Sequence, residues 1–342
     1  MIKKIFKMPT DRILGLDLLR SLIMLLSVPY HTALIFGSWV YSSPYHQEHN
    51  LMFYGAQFSH LFRMELFFCL AGFFSILVIK KKGVEYFIKS RIIKLIIPFF
   101  LIYILFCFIF SMIDDYKVYN LYLAFFGHFW FIYTLLLLIV FTLILDKLDL
   151  LSKVNFKVFL LTFLLSFLSI FIKKDLTSIF YEFIIYLPSY FLGIFLFSYK
   201  NNIKIKYFIP LIIISVFLIS LKFLLKINQN EIDTNNISLI INEIINLIIS
   251  YPLIILAFFI FRNLKNLKNN KFLKLMTESS LYIYLFHHPL VPFFAYIFDS
   301  EGINSYLLFF MTCGATFVVC FLIFLFIERN NTLRNLFAIR KI

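Results

Sequence analysis

The chain has 342 residues, of which 62% are hydrophobic and only 15% are charged, whereas an average soluble domain has roughly 45–50% apolar and about 25% charged residues. This composition excludes a soluble globular domain and a disordered chain. The net charge of +14 at pH 7 does not indicate binding to nucleic acid, because the basic residues collect in alternate segments between apolar runs, as they do in membrane proteins.

Apolar runs long enough to cross the hydrocarbon core of a bilayer as helices recur along the whole sequence. They lack the strict apolar/polar alternation of β-barrel strands. The sequence therefore predicts an all-α integral membrane protein, a polytopic bundle in which residues 1–342 form a single domain. The ten predicted spans lie near residues 15–38, 57–79, 95–112, 128–145, 156–172, 182–198, 207–225, 237–261, 278–298 and 304–327.

The distribution of Lys and Arg predicts the orientation of these spans. If the N-terminus is cytoplasmic, 25 of the 32 basic residues fall in cytoplasmic segments and 4 in the opposite loops. The positive-inside rule therefore places both termini in the cytoplasm, where the basic face attracts anionic membrane lipids. No small-residue cleavage site follows the first apolar run, so this run is predicted to remain in the mature protein as the first span.

The first span carries three ionisable side chains, which cost several kcal/mol at membrane depth and therefore mark function by default. Asp17 and Arg20 are three residues apart and share a helix face. His31 follows Arg20 by 11 residues, so it lies on the same face roughly 16 Å away. A buried histidine is suited to act as a general base near neutral pH. The alternatives are a structural ion pair between Asp17 and Arg20 and a satisfied core histidine.

Other spans point ionisable groups toward the same outer half of the membrane. Arg63 lies in the first turns of the second span and is predicted to converge with His31, since both lie at about the same depth. Of the adjacent His287 and His288, only one is expected to face a site, because neighbours on a helix point about 100° apart. The further candidates for substrate binding are His60, Glu65, His128, Trp130, Glu243, His287 and His288.

Simpler interpretations exist for several of these candidates. His128 and Trp130 are alternatively interfacial anchors, and Glu243 is alternatively a buried acid bonded to a neighbouring helix. No metal site is predicted, because His46-Gln47-Glu48-His49 has the wrong spacing for the HExxH zinc motif. The sequence also lacks a GxxxxGK[ST] phosphate loop and a GxSxG nucleophile elbow.

Several motifs are similar to those of acyltransferase family 3, a large family of membrane acyltransferases. The first is Arg20, ten residues and His31, and the second is the run from Phe67 to Phe73. The further matches are Leu16–Arg20, Pro29–His31, Ser59–Met64, His128–Phe131, Tyr186–Pro188 with Gly193, Ser279–Leu285 and His287–Leu290. Because they run in the family's order from the first to the ninth span, the resemblance covers nearly the whole chain.

The resemblance implies an enzyme of the cytoplasmic (inner) membrane that moves an acyl group from a cytoplasmic acyl-CoA to a hydroxyl of a glycan or other acceptor on the far side. Succinyl-CoA is the favoured donor and acetyl-CoA the next, without a metal. His31 is then the general base or, alternatively, the covalent carrier of the acyl group. Arg63 is implied to stabilise the oxyanion. Arg20, paired with Asp17, orients His31 through water or meets the pantetheine arm.

The resemblance assigns the donor's phosphates to Arg91 and Lys94 in the first cytoplasmic loop. The family often has two arginines there, three apart before a proline, whereas Lys94 is the second basic residue here and Pro98 follows. Lysine keeps the charge but loses the bidentate fork that suits phosphate, so weaker affinity or a different donor is expected. The alternative functions are O-acetylation of a surface polysaccharide or cell-wall polymer, a transporter or flippase, and an assembly partner of a polysaccharide machine. A homodimer is compatible with a ten-helix domain.

Overall fold

A computed structural model of the chain describes residues 13–37, 42–45, 51–111, 129–171, 178–198, 236–264 and 270–337, with a few single positions between 209 and 220 and at 267. Within these ranges every regular element is helical and no strand occurs, so the all-α prediction is confirmed. The α-helices are α1 (Leu14–Leu25), α2 (Ser27–Ala33), α3 (Leu51–His60), α4 (Arg63–Lys82), α5 (Val84–Arg91), α6 (Ile97–Ser111), α7 (Trp130–Lys147), α8 (Phe156–Phe171), α9 (Ser178–Ser198), α10 (Asn236–Arg262), α11 (Lys271–Phe298), α12 (Ser305–Arg329) and α13 (Asn331–Leu336).

Eight helical segments of the described residues are long and apolar enough to cross a membrane, and they correspond to all predicted spans except the fifth and the seventh. The fifth span is the apolar helix α8, whose 16 residues fall just short of a full crossing. Of the seventh, 207–225, the structure describes only seven positions, all of them helical. The cytoplasmic placement of both termini stays a prediction. The eight segments are Leu14–Phe36, Leu51–Lys82, Val84–Cys107, Trp130–Lys147, Phe180–Phe197, Ile244–Arg262, Lys271–Phe298 and Ser305–Arg329.

Several helix ends follow from local sequence. Asn270, Asn304 and Asn330 precede α11, α12 and α13, and each side-chain oxygen accepts a backbone N–H of the first turn at 2.8–3.1 Å. Such caps satisfy backbone donors that have no partner within the helix. Gly83 ends α4 with φ of +82°, a backbone conformation that glycine adopts without steric penalty.

The described residues group into two compact units, each assembled from separated stretches of chain. The first unit lies within Met1–His60, Glu85–Phe129 and Leu264–Ile342. In this unit α11 packs against α1, α2 and α12, and α2 also contacts α3 and α12. The short helix α2 is therefore packed against three neighbours, which fix the position of the side chains that it carries. The prediction of a single domain over the whole chain stays a prediction.

The second unit lies within Leu61–Val84 and Trp130–Asn263. Its central helix is α9, which packs against α4, α7 and α8. Ring contacts show that α4 and α9 run in the same direction, because Phe68 meets Tyr186 near one end and Lys80 lies over Phe197 near the other. This is the relative direction that the alternation of spans predicts for the second and the sixth span.

Two glycines set the distance between α4 and α9. A Cβ on Gly72 would lie 2.0 Å from the carbonyl oxygen of Tyr190, and a Cβ on Gly193 would lie 1.9 Å from the carbonyl oxygen of Cys69. Both close contacts would be with backbone carbonyl oxygens, which cannot move away as the end of a flexible side chain can. The pair follows the rule that small residues let membrane helices approach closely.

Candidate active site

The first predicted span is not one continuous helix. It consists of α1, a turn at Leu26, α2 and a single 3-10 turn over Leu34–Phe36. Pro29 accounts for the interruption, because it has no N–H to donate to the carbonyl of Leu25 one turn earlier. The chain nevertheless continues in the same helical sense, since the Tyr30 N–H bonds the Leu26 carbonyl at 3.1 Å. His31 therefore lies on α2, a separate seven-residue helix within the first span.

Asp17 and Arg20 form the ion pair that their spacing predicts. An Arg20 guanidinium nitrogen lies 3.6 Å from Oδ1 of Asp17. The Asp17 side chain is buried, whereas the Arg20 side chain is 36% exposed. The carboxylate therefore holds the guanidinium at a partly exposed position on α1.

His31 lies among three aromatic rings of the first unit. Its ring centroid is 5.2 Å from that of His287, 5.0 Å from that of His288 and 4.9 Å from that of Tyr30. His31 itself is 9% exposed, and both α11 histidines are buried. The expectation that only one of His287 and His288 faces the site is wrong. The ring centroids of the two α11 histidines are 6.2 Å apart, and the His31 ring contacts both.

His60 joins this cluster from the end of α3. Its ring stacks on Tyr30 with a centroid separation of 5.7 Å and an angle of 17° between the planes. The Tyr30 hydroxyl lies 3.4 Å from Nδ1 of His60. Because His60 is exposed and Tyr30 touches His31, the pair links the surface of the unit to the His31 ring. A polar ring pair at such a position is suited to contact a hydroxyl-bearing acceptor.

Sequence analysis missed two residues of this cluster. Tyr30 was not singled out, because its role depends on contacts with His31 and with His60 on another helix. Tyr284 was also missed, although it precedes His287 by three residues and its carbonyl oxygen lies 2.6 Å from Nδ1 of that histidine. The spacing of three residues on a predicted helix could have indicated the contact between Tyr284 and His287. No such local signal exists for the contact between Tyr30 and His60.

The two residues predicted to bind the phosphates of the acyl donor, Arg91 and Lys94, lie where the α-helix gives way to a π-helical turn. Arg91 ends α5, and Ile92–Ile96 forms a π-helical turn in which the Ile97 N–H bonds the Ile92 carbonyl, five residues earlier. Lys94 lies within this turn. Pro98, which cannot donate to the Lys94 carbonyl, favours the wider turn, and such turns often occur at functional sites. The Arg91 guanidinium also packs over the ring of Phe87 at 4.9 Å.

The remaining candidates lie in the second unit or outside the described residues. Arg63 and Glu65 are in the first turn of α4, and Glu65 interacts electrostatically with Arg63 and with Glu182 on α9. Trp130 begins α7 and stacks on Tyr186 with a centroid separation of 5.4 Å. The predicted role of Arg63 at an oxyanion stays a prediction. His128 lies outside the described residues, as does the side chain of Glu243, whose backbone belongs to α10.

Among the residues that the structure describes, no group of three or more His, Cys, Asp or Glu side chains is arranged to hold a metal ion. His46 and His49 lie outside those residues. The side chains around His31 are imidazole rings and the phenol of Tyr30, groups that can donate and accept hydrogen bonds.

Apolar helices long enough to cross a membrane define a polytopic membrane protein, and its first unit buries a cluster of histidine rings between helices. The chain belongs to acyltransferase family 3, because the model of that family, described as an acyltransferase domain, matches residues 13–325. It is accordingly a membrane acyltransferase, as the sequence resemblance implied.

Individual relatives are similar over a shorter stretch. Glucans biosynthesis protein C of Salmonella typhi is 33% identical over 92 residues, which are 26% of this chain and 23% of that protein. The protein of the same name from Escherichia coli strain K12 is 30% identical over 90 residues, with 26% and 23% covered. The similarity thus spans about a quarter of the length of these relatives. No solved structure matches the chain.

Proposed function

We propose that this protein is an O-acyltransferase of the cytoplasmic membrane that moves an acyl group, succinyl in preference to acetyl, from a cytoplasmic acyl-CoA to a hydroxyl of an extracytoplasmic glycan. The observation that carries the proposal is the buried His31 ring with His287, His288 and Tyr30 around it. Membership of the family supports acyl transfer. The glycan acceptor is supported by relatives that are named for glucan biosynthesis, and succinyl is the group that the motif resemblance favours.

In the proposed reaction His31 takes the proton of the acceptor hydroxyl as that oxygen attacks the thioester carbonyl carbon. The new C–O bond gives a tetrahedral intermediate, which collapses by breaking the C–S bond. The departing thiolate then receives the proton from His31, so that the enzyme returns to its starting state. A histidine suits both transfers, because its ordinary titration range is close to neutral pH. Burial of the ring also limits access of water, which would otherwise hydrolyse the thioester.

The donor and the acceptor are proposed to use different residues of the first unit. Arg91 and Lys94 bind the phosphates of acyl-CoA, and the contact of Arg91 with Phe87 limits the conformations of its guanidinium. Tyr30 and the exposed His60 contact the acceptor, since aromatic and polar ring edges suit the apolar faces and hydroxyls of a sugar. The ion pair with Asp17 holds the Arg20 guanidinium on the span that carries His31.

The experiment that tests this proposal is mass spectrometry of periplasmic and surface glycans from three strains: one with the intact gene, one without it and one with His31→Ala. We expect a mass increment in the first strain alone, and its size distinguishes succinyl from acetyl. A fourth strain with Gly314→Ala is the matched control for expression and membrane insertion, because a Cβ at that position meets no atom within 4 Å.

Two outcomes would contradict the proposal. The first is an acylated glycan in the His31→Ala strain at the level of the intact strain, with both proteins equally abundant by immunoblot. The second is an identical glycan profile in all strains together with substrate movement into vesicles that lack any acyl donor. That second result would establish the transporter alternative, for which buried charged groups in spans are equally suited.

A further inference from the structure

Two cationic side chains from different helices meet at one end of the second unit. The apolar spanning segments of α4, α9 and α10 end at Lys82, Phe197 and Arg262. The Arg262 guanidinium donates to the carbonyl oxygen of Leu196 at 3.2 Å, and Nζ of Lys80 lies 5.5 Å from the ring centroid of Phe197. Arg262 of α10 and Lys80 of α4 therefore both contact the same end of α9.

The rings beneath the two cations form a continuous cluster. The ring centroid of Phe73 is 5.7 Å from that of Phe197 and 5.2 Å from that of Phe258. Cζ of Arg262 lies 5.9 Å from the centroids of both Phe73 and Phe258. Attraction of the cation to these rings and the bond to Leu196 hold the guanidinium in place. Because Arg262 is only partly buried and a guanidinium has five N–H donors, it can also donate to an anion at the surface.

The ends of α4, α9 and α10 are basic without acidic neighbours on the same helices. The last two turns of each contain no Asp or Glu, whereas Lys89 of α5 pairs with Glu85 four residues earlier. Compensation of the helix dipoles accounts for basic residues at helix C-terminal ends in general. It does not account for a lysine and an arginine placed over adjoining rings at the end of a third helix.

A phosphodiester is the anion that suits this arrangement. A guanidinium offers paired donors to phosphate oxygens, and the flexible stem of a lysine brings a point charge to the same group. Because three spans end here, Lys80 and Arg262 lie at the depth of lipid headgroups on the predicted cytoplasmic side. Ile260 of α10 is 50% exposed and offers apolar surface to acyl chains. Basic pockets between spans on this side bind anionic headgroups.

We propose that Lys80 and Arg262 form a binding site for the phosphodiester headgroup of an anionic phospholipid. The headgroup lies over the ring cluster and connects α4 to α10 across the end of α9. The site takes no acyl donor or acceptor, so it is independent of the proposed function. It differs from a general attraction between basic loops and the membrane, because two particular side chains contact one phosphate.

The test is native mass spectrometry of the full chain in detergent, titrated with phosphatidylglycerol. We expect Lys80→Gln to raise the dissociation constant about fivefold, the usual effect of one basic residue at an anionic membrane surface. Arg262→Gln should raise it by about tenfold, because a charge-assisted pair of hydrogen bonds is lost. Lys157→Gln is the matched control. Lys157 is an exposed lysine of the same unit on the same predicted side, and its variant should keep the wild-type constant.

Two further titrations identify the source of the phosphate. Wild-type protein should bind phosphatidylcholine, whose headgroup has no net charge, at least about fivefold more weakly than phosphatidylglycerol. The dissociation constant of coenzyme A should be the same in Lys80→Gln as in the wild type. If Lys80→Gln instead weakens coenzyme A binding and leaves phosphatidylglycerol binding unchanged, the pair belongs to the acyl donor and the proposal is overturned.

The exposed position of Lys80 keeps the proposal open to refutation even if Arg262→Gln fails to fold without its bond to Leu196. Wild-type affinity for phosphatidylglycerol in Lys80→Gln would overturn the site. An equal loss in Lys80→Gln and Lys157→Gln would overturn it as well, because the effect would then come from net charge and not from a particular pair of side chains.

Discussion

Replacing Gly72 by alanine tests whether the close approach of α4 and α9 maintains the second unit. The new Cβ would stand 2.0 Å from the Tyr190 carbonyl oxygen, whereas favourable van der Waals contact needs roughly 3.5 Å. The two helices must therefore separate by roughly 1.5 Å along their contact. Inserting a methyl group into a packed core costs about 1–3 kcal/mol. A Cβ that meets a backbone carbonyl belongs at the upper end of this range, because the backbone cannot move aside. About 3 kcal/mol of the free energy of unfolding should therefore be lost.

The assay is thermal unfolding of purified variants in one detergent, followed by intrinsic fluorescence. We expect Gly72→Ala and Gly193→Ala to lower the midpoint by several degrees, since about 1 kcal/mol shifts it by roughly 2–4 °C in a large domain. Gly314→Ala is the control, because its Cβ enters open space and alanine is preferred to glycine within a helix by about 1 kcal/mol. A Gly72→Ala midpoint equal to that of Gly314→Ala would refute the reasoning.

Two further substitutions test predicted functional residues. Asp17→Asn removes the charge of the ion pair but keeps a side-chain oxygen that can accept a hydrogen bond from the Arg20 guanidinium. We expect a small change in the melting midpoint but at least a tenfold loss of acyl transfer (~1.4 kcal/mol of barrier). Unchanged transfer would assign the pair to structure alone. Lys94→Arg restores the guanidinium fork that suits phosphate. The KM for acyl-CoA should therefore fall by about threefold or more, with kcat constant. An unchanged KM in steady-state kinetics would contradict a phosphate-binding role for this position.

The sequence predicted the membrane helices well because hydropathy is a local property. An apolar run must satisfy its backbone hydrogen bonds internally when it enters lipid, and a helix does so whatever its neighbours are. The spacing of Asp17 and Arg20 is local in the same way, and the ion pair has the predicted geometry. The end of α4 at Gly83 also depends on a single residue with φ of +82°.

The expectation that only one of His287 and His288 faces the site was wrong because it used the geometry of a single helix. The angle of about 100° between adjacent side chains is a correct property of a helix. It says nothing about the size or position of the group opposite, and here the His31 ring is placed so that it contacts both histidines. The contact of Tyr30 with His60 on another helix could not be predicted for the same reason.

The sequence by itself determined that this is an all-α membrane protein with ionisable groups in its first, second and ninth spans, because composition, helical period and charge act within each segment. Tertiary structure alone decided that His31 contacts both α11 histidines, and that Gly72 and Gly193 are required where α4 meets α9. Those features depend on packing between segments far apart in the chain. Helix–helix packing is specified by the shapes of both partners, and no pattern within one segment contains the shape of the other.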